Sequence, residues 1–160
     1  MAAIRPMTDA EFAAWLDGAI PRYAREKVAS GAWAEANALE LSIAEHRQLL
    51  PDGRATQDHF FHSIVAEDGG SVGMLWFAAK ERGGARIAYL YNIEIDPGHR
   101  RRGHARRALE ALEREVARLG LAGIALHVFG HNASGQALYA KLGYVTTNIN
   151  MHKPVDGAGD

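Results

Sequence analysis

The residues best able to do chemistry lie in one run, Ile95-Asp96-Pro97-Gly98-His99-Arg100-Arg101-Arg102-Gly103-His104-Ala105. It reads as a strand end, a tight basic turn and a helix start. A helix N-terminus offers unbonded N–H groups and a partial positive charge, and the arginines add full charges. A glycine at 103 and a small residue at 105 let the backbone approach an anion with no side chain in the way. The ligand that suits such a turn is a pyrophosphate. The plainer alternatives are a solvated basic helix start or a nucleic-acid patch, and the glycine spacing favours the phosphate turn over both.

Elements on either side must hold this turn. Residues 3–6 suit a short first strand. Thr8 and Glu11 have the spacing of a capping box, followed by Phe12, Trp15, Leu16 and Tyr23 at helical intervals. Pro21 falls inside that pattern and is expected to kink or split the helix. A second helix is expected over 34–49. Three strands, over 60–66, 71–79 and 87–96, are separated by the turn signals Asp68-Gly69-Gly70 and Gly83-Gly84, so they read as an antiparallel meander. After the basic turn, Ala105, Ala108, Leu109, Leu112, Val116 and Leu119 line one helical face, with Glu110 and Arg114 spaced to pair on the other. A strand over 124–129, a helix over 134–142 and a last strand over 144–151 complete the chain, with residues 155–160 expected as a disordered tail. The strand-helix-strand unit implies one parallel pairing. The expected fold is α+β: one domain over residues 1–154, its mixed, mostly antiparallel sheet flanked by helices.

Bulk properties narrow the function. A chain of 160 residues can bury a proper core. A net charge of −1 gives no global pull toward nucleic acid or membrane. The chain has no cysteine, which removes disulfides, thiolate nucleophiles and zinc–thiolate sites and suits a cytoplasmic setting. Met1 to Pro6 lacks the apolar core of a signal peptide. No stretch approaches the ~18 apolar residues of a membrane span. The eight histidines are scattered. His127 and His131 are four apart, but on a strand and loop rather than a helix, and His59 and His62 are no better placed, so no metal is expected. His46 and His131 remain candidates for lining a cleft.

Two blocks carry a family resemblance. Arg100-x-x-Gly103-x-Ala105, after the strand end Ile95-Asp96-Pro97, resembles the pyrophosphate signature of the GNAT superfamily of acetyl-CoA-dependent N-acetyltransferases. Asn132-Ala133-Ser134-Gly135-Gln136-Ala137-Leu138-Tyr139, followed by Lys141-Leu142-Gly143-Tyr144, is similar to that family's block after the fifth strand. The blocks stand in the family's order and separation. Departures are small: Ala105 replaces the commoner glycine, Gly135 stands where alanine is usual, and His104 is unusual between two small residues.

The resemblance implies a fold whose fourth and fifth strands splay apart, opening a cleft for the thioester of acetyl-CoA. N–H groups of Arg101, Arg102, Gly103, His104 and Ala105, together with Arg100, would hold the pyrophosphate. Ile93 and Ile95 would pair through their backbone with the pantetheine arm, as an added strand does. An N–H of that segment would polarise the acetyl carbonyl. Tyr139 matches the family's general acid, whose pKa of about 10 lies near a thiol's; the plainer alternative is a packed tyrosine. Asn132 would contact the pantetheine or cap its helix. For the general base, Glu94 shares a strand face with Asn92 by alternation, unless a bulge intervenes; the alternative is an ion pair with an arginine. Tyr23 and Trp33 lie where the family walls its acceptor site, and serve equally as core residues. Asn148 and Asn150 alternate to one face of the last expected strand.

The expected reaction is acetyl transfer from acetyl-CoA to a primary amine by direct attack in a ternary complex, since no cysteine is available for an acyl-enzyme. A catalytically silent acyl-CoA-binding regulator is the alternative. The partners expected are coenzyme A and an amine, with no nucleic acid and no membrane; a homodimer is plausible for this family.

Overall fold

The computed structural model describes residues 3–157. The chain divides into two compact units, Met1–His127 and Val128–Asp160. The first holds five strands, β1 (Ile4–Pro6), β2 (His59–Val65), β3 (Ser71–Arg82), β4 (Ala85–Ile95) and β5 (Ile124–Leu126), with helices α1 (Asp9–Ala29), α2 (Ala38–Leu49) and α3 (His104–Arg118). The sheet runs in sequence order, β1 to β5. Its first three pairings are antiparallel and β4–β5 is parallel, as expected for a mixed sheet.

Thr8 and Glu11 form the capping box. Glu11 does more than cap. Its carboxylate accepts two bonds from the Arg5 guanidinium of β1, at 2.7 and 3.0 Å, and one from the Ser63 hydroxyl of β2 at 3.0 Å. The first turn of α1 is thereby fastened to the sheet. Arg5 first, then the Thr8 N–H and the Ser63 hydroxyl, hold its carboxyl down at about 2.

Pro21 does not split α1, which is continuous from Asp9 to Ala29. A proline removes one hydrogen bond and crowds the preceding turn, but packing on both sides of it holds the helix. Phe12, Trp15 and Leu16 sit on the sheet core formed by Met7, Leu50, Phe61, Met74 and Trp76. The buried Ser42 hydroxyl of α2 donates to the Ile20 carbonyl at 2.7 Å. Tyr23 also ties α1 to α2, its hydroxyl donating to Glu45 and its ring meeting Trp33 and His46 edge-on. Burial, then Glu45, pushes its phenol up to about 12. Tyr23 and Trp33 therefore have packing roles between these helices.

The other sheet face carries the fully buried Leu75 and Phe77, and α3 covers it with Ala108, Leu109, Leu112 and Val116. Glu110 pairs backward with Arg106 at 3.1 Å rather than forward with Arg114.

In the second unit, α4 (Ala133–Lys141) begins at Asn132, whose side-chain oxygen accepts from the Gly135 N–H at 3.0 Å. A Cβ at 135 would stand 2.6 Å from the Asn132 amide nitrogen, so the glycine admits this cap. The strand expected over 144–151 is not formed. Its apolar residues Val145, Ile149 and Met151 are exposed, and alternation alone does not stabilise a strand whose apolar side meets no partner. Likewise β5 ends at Leu126 rather than at 129. Of the expected tail, residues 158–160 lie outside the described residues. No helix among the described residues is long and apolar enough to cross a membrane.

Candidate active site

The geometry at the end of β4 follows from one extra residue. Across the β3–β4 ladder Trp76 faces Asn92 and Phe77 faces Leu90, so Tyr91 is a bulge. Without it, Asn92 and Glu94 would share the face of Ala88 and Leu90, toward α3, because alternation has period two. With it, they stand opposite Trp76 and Met74, on the side that α1 covers. The polar residues of β4 thus lie on the α1 side, opposite Trp76 and Met74, rather than under α3.

Two strands part at the same level. The β4–β5 ladder ends at Leu90↔Leu126, while β4 runs on to Ile95. Beyond Leu90, β4 has no ladder partner on its β5 side among the described residues. Ile93 and Ile95 lie in that stretch, which is the splay expected of the fourth and fifth strands. On the other side, β3 approaches very closely. A Cβ at Gly73 would run into the Glu94 carbonyl oxygen. Gly73 escapes a reading by motif, although an isolated glycine inside an apolar strand is itself a signal of close backbone approach.

After β4 a single 3-10 turn, Pro97–His99, leads into the basic segment. Arg101 has φ +62 and Gly103 φ +78, both left-handed. Gly103 is the N-cap of α3 and has no side chain to cap with. The first N–H groups of α3, at His104, Ala105 and Arg106, therefore lack both an intrahelical and a side-chain partner. Left-handed residues in such a turn direct successive N–H groups to one concave point. A Cβ at Gly103 would come 2.9 Å from Arg107 Nη1. This is a cradle with anion chemistry, and it fits the diphosphate of a coenzyme.

Two arginine side chains brace the turn. Arg100 Nε donates to the Ile95 carbonyl at 3.0 Å. Arg107 Nη2 donates to the Arg102 carbonyl at 2.9 Å and lies 3.0 Å from His104 Nδ1. A guanidinium can only donate, so Nδ1 accepts and the His104 proton sits on Nε2. Burial, then the charges of Arg107, His99 and Arg102, push the His104 imidazole below its ordinary value, which keeps it neutral. His104 thus holds Arg107 in place. Arg107 itself carries no motif signal; its place one turn past Gly103 in the basic helix start is the only hint. A cleft of about 610 Å³ opens beside the turn, lined by His99, Arg102, His104 and Arg107, and by Glu67 and Asp68 of the β2–β3 connection.

Glu94 is ion-paired to Arg22 of α1 at 3.2 Å, both side chains a little over one-third exposed. The pairing weighed from sequence is therefore present, on the side of β4 that faces α1. His46 does not stand free: Nδ1 donates to the Ser42 carbonyl at 2.8 Å. Among the described residues no group of three or more His, Asp or Glu is placed to hold a metal ion.

In the second unit Tyr139 is half-buried on α4, its ring meeting Tyr144 edge-on at 5.5 Å. Burial pushes its phenol above the ordinary value, so it is protonated at neutral pH. Asn132 caps the same helix. His131 stacks on Phe129.

Comparisons with known proteins identify the family. The profile of the acetyltransferase (GNAT) family matches residues 21–144. The uncharacterized N-acetyltransferase YdgE of Bacillus subtilis is 34% identical over 150 residues, covering 94% of this chain and 96% of its own. The crystal structure of the acetyltransferase YycN of the same organism superposes with a TM-score of 0.84 at 32% identity, over 95% of this chain and 97% of that one. The alanine N-acetyltransferase of ribosomal protein bS18 from Escherichia coli is 39% identical over 75 residues, 46% of this chain and 51% of its own. The chain belongs to the GNAT acetyltransferase family and is an acetyl-CoA-dependent N-acetyltransferase.

Proposed function

We propose that the enzyme acetylates a primary amine by direct attack in a ternary complex, with Tyr139 as general acid and the Glu94 carboxylate, whose ion pair with Arg22 must open for it to act, as the group that relieves the amine of its proton. Acetyl-CoA supplies an activated acyl group as its thioester. The N–H groups of 101–105 hold the pyrophosphate, with Arg100 and Arg107 bracing the turn. Ile93 and Ile95 offer backbone to the pantetheine, and Asn132 stands at the start of the helix that carries Tyr139. The amine arrives as an ammonium and loses one proton toward Glu94 or water. Its nitrogen bonds to the acetyl carbon, the C–S bond breaks, and Tyr139 delivers a proton to the sulfur, regaining one from the nitrogen. The products are an amide, free coenzyme A and one proton. No cysteine is present to carry the acetyl group, which favours direct transfer. We take residues 1–154 as one catalytic domain, working in a reducing compartment such as the cytosol.

The observation that carries this reading is the uncapped, left-handed glycine opening α3 just past the free end of β4. Calorimetry of acetyl-CoA binding tests it on the wild type and on Gly103→Val. Saturable binding that weakens about 100-fold or more in the variant is expected, since the valine removes the close backbone approach that the N–H cradle needs. Equal binding by both proteins would place the pyrophosphate elsewhere.

A further inference from the structure

The α1-facing side of β4 carries an aromatic ledge that the acetyl transfer proposed above does not use. Tyr91, extruded by the bulge, stacks on Trp76 at 4.4 Å and on His59 at 5.8 Å, and Tyr89 meets it edge-on at 5.0 Å. Trp76 Nε1 donates to His59 Nδ1 at 3.0 Å, which fixes the ring that backs Tyr91. Both tyrosines are only partly buried. An ammonium already sits on the ledge: Lys80 Nζ lies 4.8 Å from the Tyr89 ring centre and 4.7 Å from that of Tyr91. Lys80 is exposed and has no ion pair among the described residues. Its ammonium therefore marks the ledge as a place where a cation rests on ring faces.

We propose that this ledge seats a second, non-reacting cationic group of the acceptor, so that the preferred acceptors are diamines or other amines bearing an additional ammonium, and that Lys80 is an internal placeholder which such a group displaces. The inference rests on the acetyl-transfer reading above. A ring face stabilises the charged form of an amine, so it is the wrong seat for the nitrogen that must lose its proton and attack. The reacting nitrogen belongs further along the strand, at Ile93–Ile95. From Tyr91 to Ile93 β4 advances two residues, about 7 Å, a span that a short aliphatic chain bridges. Glu94 lies on the same face, ion-paired with Arg22 at 3.2 Å, so an incoming ammonium meets a charge pair along the path rather than a lone carboxylate.

The test pairs a diamine, cadaverine, with a monoamine of similar length, hexylamine, as acceptors. The expected result is a kcat/KM for cadaverine at least about fivefold higher, carried by KM. Tyr89→Leu is expected to abolish that preference and Tyr89→Phe to keep it. Lys80→Met is expected to lower KM for cadaverine and leave hexylamine unchanged. A second readout needs no turnover. Tetramethylammonium, which cannot be acetylated, is expected to change the fluorescence of Trp76 behind Tyr91, more strongly in Lys80→Met than in the wild type. Equal kcat/KM for the two amines in wild type and Lys80→Met overturns the proposal, as does a fluorescence response absent from both proteins. Acetyl-CoA binding measured alongside separates the outcomes: a silent ledge with intact coenzyme binding defeats this inference alone, whereas loss of coenzyme binding defeats the reading beneath it.

Discussion

In the reaction proposed above, the turn after β4 and the helix α4 play their parts in opposite ways. From Arg100 to Ala105 the proposed part falls to backbone: left-handed φ values at Arg101 and Gly103, an uncapped helix start, and arginine side chains that brace the turn by donating to the Ile95 and Arg102 carbonyls. On α4 the proposed part falls to one phenol, and the backbone only carries it, capped by Asn132 and admitted by Gly135. A backbone site tolerates many side chains and fails when a Cβ intrudes. A side-chain site tolerates almost nothing at one position and much around it.

The sharpest way to break that contrast is Tyr139→Phe, which removes one oxygen and leaves the ring packed against Tyr144. A positioned acid contributes about 10²–10⁴-fold, so kcat should fall by about that factor while acetyl-CoA binding by calorimetry stays within about twofold. A variant with full kcat would move the acid elsewhere and leave Tyr139 as a packing residue.

Gly73→Ala probes the backbone side of the contrast. Its Cβ would meet the Glu94 carbonyl, an atom that cannot step aside without moving β4. Overpacking of this kind costs about 3 kcal/mol, a fall in Tm of about 6–12 °C for a chain of this size. Acetyl-CoA affinity should drop with it, because Ile93 and Ile95 are displaced. A variant with unchanged Tm would mean that β3 and β4 have room for a methyl group between them.

Titration of the first unit comes next in size. His59, His62 and His104 all lie below their ordinary value, burial being the first cause in each. A histidine with a depressed folded pKa stabilises above its unfolded value of about 6.5 and loses that contribution as pH falls through the folded value. Tm should therefore decline as pH drops from neutrality. His62 is 7% exposed with Nδ1 unpartnered, and stacks on Phe77. His62→Phe should flatten the slope more than His104→Gln. An identical slope in both variants would assign the loss to other groups.

The basic turn is legible in sequence because its physics is local: glycine spacing and charge lie within six residues. The Thr8–Glu11 box is legible for the same reason. What Glu11 does beyond its helix is not, because Arg5 and Ser63 reach it only through the fold. Face assignment on β4 escapes a local reading as well. Alternation puts Asn92 and Glu94 together, which holds, but cannot reveal that one extra residue at Tyr91 turns both toward α1. Pro21 misleads because a propensity is a prior that packing overrides. The segment 144–151 misleads in the opposite sense: it has a strand's alternation, and no sheet face in its own unit receives Val145, Ile149 and Met151.

The smallest effect concerns Arg101, the one side-chain-bearing residue forced left-handed within the turn. That conformation costs a non-glycine residue about 1–2 kcal/mol, and a glycine gives back about 0.5–1 kcal/mol in chain entropy. Arg101→Gly should therefore raise Tm by about 1–3 °C. It removes one positive charge but no N–H group, so acetyl-CoA binding should weaken by less than about tenfold, well short of the loss at Gly103. If Arg101→Gly instead weakened binding as much as Gly103→Val, the guanidinium itself would be the phosphate ligand, and the turn would be a side-chain site after all.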